Sequence, residues 1–88
     1  MKLIDQAAEF RTKWNVILEL NSNFLDRKIK YITCFDNEDE HGFRIIHGEI
    51  RHGKIEMNYN EKKTPYLHPD FIKEFRQILN KTKQEMEQ

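Results

Sequence analysis

Apolar residues recur at Leu3, Ala7, Phe10, Trp14 and Ile17, in alternating steps of four and three, and so fall on one face of a helix. The spacing predicts a helix from about Lys2 to about Leu20, stopped by Asn21-Ser22-Asn23, because Asn tolerates the left-handed conformation that ends many helices. A second pattern overlaps its end. Trp14, Val16, Leu18 and Leu20 also alternate, and Val16-Ile17-Leu18 is rich in strand formers, so an extra strand over residues 14–20 competes with the last turns of that helix.

From Lys28 to Asn60 the period becomes two. Ile29, Tyr31, Thr33 and Phe35 alternate with Lys30, Ile32 and Cys34, and the polar run from Asp36 to Gly42 then breaks the pattern before a second strand from Phe43 to about Ile50. Arg51-His52-Gly53-Lys54 predicts a two-residue hairpin with His52-Gly53 at the turn, where Gly supplies a positive backbone angle without steric cost. That placement sets Ile50 opposite Ile55, Gly48 opposite Met57 and Ile46 opposite Tyr59, all on one sheet face. Turn and hydrophobic pattern thus select the same register.

Glu61 to Pro65 leads away from the sheet, and Pro69 opens a second helix at the position Pro tolerates best. Its inward stripe is Phe71, Ile72, Phe75, Ile78, Leu79 and Thr82, Asp70 sits near the positive end of its dipole, and the tail from Lys83 to Gln88 is expected to fray. The predicted architecture is one α+β domain over residues 1–88: helix, three-stranded antiparallel meander, helix, with both helices on one sheet face.

Composition narrows the function classes. The 88 residues carry 15 Lys plus Arg against 15 Asp plus Glu, and the charge stays near neutral segment by segment. Such balance argues against the basic footprint of a typical nucleic-acid binder and against an acidic DNA mimic. It conceals a finer polarity, with acidic Asp36, Glu38, Asp39 and Glu40 at one end of the meander and the basic turn Arg51 to Lys54 at the other. No apolar run has the length of a membrane span, and Leu3-Ile4-Asp5-Gln6 does not read as a secretory core, so a cytosolic protein is expected. In that compartment Cys34 reads as a buried, inert thiol, and the sequon Asn80-Lys81-Thr82 has no meaning. Abundant Lys, Ile, Asn, Phe and Glu suggest an AT-rich source, such as a low-GC bacterium or a phage or mobile element living in one.

Candidate chemistry is sparse. His47 and His52 are five residues apart on a hairpin strand and point to opposite faces, and nothing resembles a paired Cys-x-x-Cys, so neither a metal nor a cofactor is expected. The acidic loop has His41 and His47 where an EF-hand loop counted from Asp36 requires Gly and Glu. It reads as a solvated loop or as a contact surface for a basic partner.

His47, Glu49 and Arg51 share one sheet face, a row that could serve acid/base work on RNA, and the hairpin Phe43 to Ile55 resembles the strands of small bacterial endoribonuclease toxins. Those toxins are usually basic and end in strands, whereas this chain is neutral and ends in a helix. The order helix, three strands, helix is similar to that of the double-stranded-RNA-binding domain. That family implies a Lys-Lys-x-x-Lys cluster opening the second helix, whereas Lys62-Lys63 here falls several residues early and is followed by Thr64-Pro65.

The outer sheet face carries the main expectation. Phe43 and Ile45 would anchor a contact surface there, with His47, Glu49 and Arg51 as a charged rim, unless Phe24 and Leu25 fold over that end. The reading is a small non-enzymatic protein that acts through a protein partner, an accessory or inhibitor protein of a phage or mobile element, with a homodimer as one arrangement. The alternatives are an RNA- or DNA-binding module and a small endoribonuclease toxin.

Overall fold

A computed structural model of the chain describes residues 1–87, the side chain of Thr64 excepted. Helix α1 (Leu3–Trp14) is followed by strands β1 (Val16–Ser22), β2 (Ile29–Asp36), β3 (Arg44–Arg51) and β4 (Lys54–Tyr59), a 3-10 turn at Thr64–Tyr66, and helix α2 (Pro69–Met86). The strands form one antiparallel sheet in the order β1-β2-β3-β4. The α+β reading holds, and the meander gains the fourth strand that the alternation from Trp14 to Leu20 had offered.

The first helix therefore ends well before Leu20. Asn15 adopts a left-handed conformation (φ 53°) and donates its backbone N–H to the Arg11 carbonyl, closing α1 one residue before the β-branched pair Val16-Ile17. The same residue fastens the junction to the loop after β2. Its carbonyl accepts from Asn37 N at 3.3 Å, its Oδ1 accepts from Asn37 Nδ2 at 3.1 Å, and its Nδ2 donates to Glu38 at 3.2 Å.

The second hairpin follows the predicted register pair for pair: Ile50 with Ile55, Gly48 with Met57, Ile46 with Tyr59. His52 (φ 49°) and Gly53 (φ 81°) both take positive angles, the geometry that matches the twist of the flanking strands. His52 Nε2 lies 2.9 Å from Asp26 Oδ2, tying this turn to the β1–β2 loop at the same end of the sheet.

Helix α2 opens at Pro69, with the His68 ring accepting from Asp70 N at 3.1 Å. It buries Phe71, Phe75, Ile78, Leu79 and Thr82, the expected stripe, and continues to Met86, so Lys83 to Met86 are helical where fraying was expected; Gln88 lies outside the described residues. The two helices and the sheet enclose one core built on Phe10, Val16, Ile32, Cys34, Ile45, Ile46 and Ile50 with the α2 stripe. Phe71 is its aromatic hub, 5.1 Å from Phe10, 5.3 Å from Trp14 and 5.6 Å from Tyr66 between ring centroids.

Candidate functional site

With both helices on one side, the other face of the sheet is uncovered. Strand pairing places Ile17 beside Phe35 and then Arg44, Glu19 beside Thr33 and His47, and Asn21 beside Tyr31 and Glu49 on that face. At its centre the Tyr31 and His47 rings stack at 5.8 Å, and Thr33 Oγ1 lies 2.9 Å from His47 Nδ1. Burial, and next the nearby Arg44 charge, hold the His47 pKa below its usual 6.5, which favours the neutral ring. Along the same strand Glu49 accepts from the Arg51 guanidinium, a contact that raises the Arg51 pKa. The predicted row His47, Glu49, Arg51 is present, joined by Tyr31 and Thr33, which period-two reading of β2 placed on one face without saying which.

The predicted anchors separate. Between Cys34 and Phe35 the β2–β3 register shifts, so that Cys34 pairs with Ile46 but Phe35 pairs with Arg44, leaving Ile45 as the extra residue of a bulge. The bulge puts Ile45 beside Ile46 in the core, fully buried, and Ile45 is not part of any contact surface. Phe43, just before β3, is 58% exposed and leans on the His41 ring at 5.7 Å. Accordingly Phe43→Ser is expected to change stability by less than about 0.5 kcal/mol, whereas Ile45→Thr, which removes buried carbon and buries a hydroxyl, costs about 2–3 kcal/mol. Urea melts of the two single variants check this directly.

Phe24 and Leu25 do not cover the face. They stand at 98% and 90% exposure on a loop braced by Asn23 Oδ1, which accepts from Leu25 N and Asp26 N at 2.8 and 3.0 Å.

The acidic loop is largely occupied with itself. Asp36 Oδ1 accepts from Glu38 N, Asp39 Oδ1 accepts from His41 N, and Asp39 Oδ2 meets Lys63 Nζ at 2.6 Å. The Lys63 hydrogen bond, and next that from His41 N, hold Asp39 below its ordinary carboxylate pKa of 3.8. A depressed carboxylate contributes fully above its unfolded pKa and loses that contribution as pH falls through the lower folded value. Stability should therefore drop below pH 3.8, and Asp39→Asn should weaken that dependence; denaturation midpoints from pH 6 to about 2 read it out. Glu40 completes the loop, exposed to solvent.

Cys34 is fully buried, and burial, with Asp36 adding to it, pushes its thiol up to about 12. It is no nucleophile at neutral pH. Lys63 of the Lys62-Lys63 pair is committed to Asp39, and four strands separate the two helices where the double-stranded-RNA-binding order has three. Among the described residues no group of three or more His, Cys, Asp and Glu is arranged to hold a metal ion, and no helix is long and apolar enough to cross a membrane. No family model matches the chain, and neither a curated protein nor a solved structure does.

Proposed function

We propose that the chain is a small non-enzymatic protein that acts by binding another protein through the open sheet face, as an accessory or inhibitor protein of a phage or mobile element working in the cytoplasm. The observation that carries this reading is the make-up of that face. An aromatic centre, Tyr31 on His47, lies between an apolar cross-strand pair, Ile17 and Phe35, and the Glu49–Arg51 ion pair. Apolar and aromatic anchors inside a polar rim are what protein contacts use for affinity and register. Affinity capture from the source organism tests it. A stoichiometric protein partner should be recovered with the wild-type chain and lost with Tyr31→Ala or Arg51→Glu, both of which should keep the circular dichroism of the fold. Recovery of the same partner by both variants would refute the assignment of the face.

One observation favours a second reading, an endoribonuclease. Burial lowers the His47 pKa, which favours the neutral ring, Thr33 holds its Nδ1, and an arginine shares its face, which is a workable arrangement for a general base beside a phosphate. Ribonuclease activity that survives purification and disappears in His47→Ala would establish that reading and displace the first.

A further inference from the structure

We infer that the free edge of β1 is the self-association site of this protein, and that two copies pair their β1 strands antiparallel about a two-fold axis at Leu20 to form one continuous eight-stranded sheet. This goes beyond the open-face reading, since it concerns the strand edge and would stand whatever that face binds.

Asn37 N donates to the Asn15 carbonyl and Asn23 N donates to the Ile29 carbonyl, so the odd-numbered residues from 15 to 23 spend their backbone groups on β2. In an antiparallel ladder the intervening residues then point theirs the other way. Val16, Leu18, Leu20 and Ser22 therefore present a row of backbone donors and acceptors to the free edge. Edge strands are normally blunted by Lys, Pro, bulges or brevity. Strand β4 is short and carries Lys54 and Glu56, whereas β1 has Glu19 as its sole charge and has neither Pro nor Lys.

Side chains point to the same edge. Leu20 is 52% exposed although it lies within the sheet, and Phe24 and Leu25 stand free on the loop that follows. Leu20 belongs to the helix-covered face, through its pairing with Ile32, yet remains half exposed, so α1 does not roof this end of β1.

Registers that keep the helices of both copies on one side of the joint sheet pair residues of like parity. Centring on Glu19 would set the two Glu19 carboxylates directly opposite each other, a destabilising pair. Centring on Leu20 instead sets Leu20 against Leu20, Glu19 against Asn21, and Leu18 against Ser22. Glu19 accepts while Asn21 donates, as their 3.5 Å contact within one strand already illustrates. Of the four edge-facing residues, Leu18, Leu20 and Ser22 have their backbone groups satisfied in both copies by this register, and Val16 falls opposite Phe24, just past the strand. It also carries Phe24 and Leu25 alongside the junction of α1 and β1 in the second copy, removing them from water.

The full chain should sediment and scatter at twice the 10.8 kDa of one copy. Leu20→Lys, at a half-exposed position, should keep the circular dichroism of the fold and weaken the dimer at least about tenfold. Cross-linking checks the register independently. Opposed residues of a hydrogen-bonded antiparallel pair lie about 5.5 Å apart at Cα, within disulfide reach, so Leu20→Cys should oxidise to a covalent dimer. Leu18→Cys should not, because the axis places the two Leu18 positions several residues apart; buried Cys34 contributes no background. A monomer at every concentration would overturn the proposal, as would a dimer undisturbed by Leu20→Lys or equal cross-linking through Leu18→Cys. A chain that is monomeric alone yet loses a captured partner in Leu20→Lys would show instead that the edge accepts a strand from a different protein.

Discussion

Replacing Phe71 by Ala is expected to cost about 3–5 kcal/mol, the range for deleting a fully buried aromatic side chain. Phe71 has no exposure and holds Phe10, Trp14 and Tyr66 around it, so its ring joins α1, α2 and the 3-10 turn at one point. The loss has two parts, the transfer of the ring to water and a cavity among aromatic neighbours that cannot close without moving both helices. Small domains have total stabilities near the lower end of about 5–15 kcal/mol, so the variant should be substantially unfolded under mild denaturant. Urea titration followed by circular dichroism measures the shift in midpoint. Lys73→Ala on the exposed side of the same helix should move it by less than about 0.5 kcal/mol. Cys34 offers a second readout: buried and with its thiol pushed up to about 12, it should react with a thiol reagent only when the core opens, so labelling should accelerate in Phe71→Ala. A loss below about 1 kcal/mol would mean that the α1–α2 contact is not the keystone described.

The parts of this fold legible in the sequence are those where two local signals agree. At the β3–β4 hairpin, Gly53 and the alternation of Ile46, Ile50, Ile55, Met57 and Tyr59 each specify the register, and a slip of β4 by one residue would turn its three outward. In α2, Pro69 and the stripe from Phe71 to Thr82 agree in the same way. Where signals conflict, tertiary context decides. Leu3 to Ile17 fits a helix and Trp14 to Leu20 fits a strand, and the outcome turns on Asn15, whose side chain and backbone are both engaged by the loop 22 and 23 residues away. No window around α1 contains that information. Ile45 is illegible for a related reason: a bulge is a property of two strands, and strict alternation along β3 alone assigns Ile45 to the wrong face.

The candidate site divides along the same line. His47, Glu49 and Arg51 lie on one strand, so their shared face follows from period two. Tyr31 and Thr33 join them through pairing across strands, which only the register reveals. The β1 edge could not be read at all while β1 was divided between helix and strand. The charge polarity inferred from the sequence survives in altered form. The basic turn lies at one end of the sheet as expected, but the acidic loop at the other is tied down by Lys63, Asn15 and its own backbone. Asn15 joins it to the α1–β1 junction and Lys63 to the segment after β4, while Glu38 and Glu40 stay exposed to solvent.

Gly48→Val is expected to destabilise the fold by about 3 kcal/mol, at the upper end for overpacking. Gly48 sits mid-strand in β3, on the face beneath α2, at ordinary negative φ, so conformational freedom does not explain it; a valine would in fact suit the strand better. Space does explain it. A Cβ built at this position would lie 2.6 and 2.7 Å from the two methyl carbons of Leu79 and 3.1 Å from its Cγ, and Leu79 is fully buried among its own neighbours, with nowhere to swing. The missing side chain is what lets α2 settle against the centre of the sheet and hold Phe75 and Ile78 in the core. A double-mutant cycle tests the contact between Gly48 and Leu79. Leu79→Ala alone should cost about 2–5 kcal/mol through the cavity it leaves, yet in the Gly48→Val background the new methyl groups should occupy part of that cavity. The double variant should therefore be more stable than the sum of the two losses by about 1 kcal/mol or more. Strict additivity would mean that Leu79 relieves the clash by a movement of the whole helix, and that α2 sits less firmly on β3 than the contact between these two residues implies.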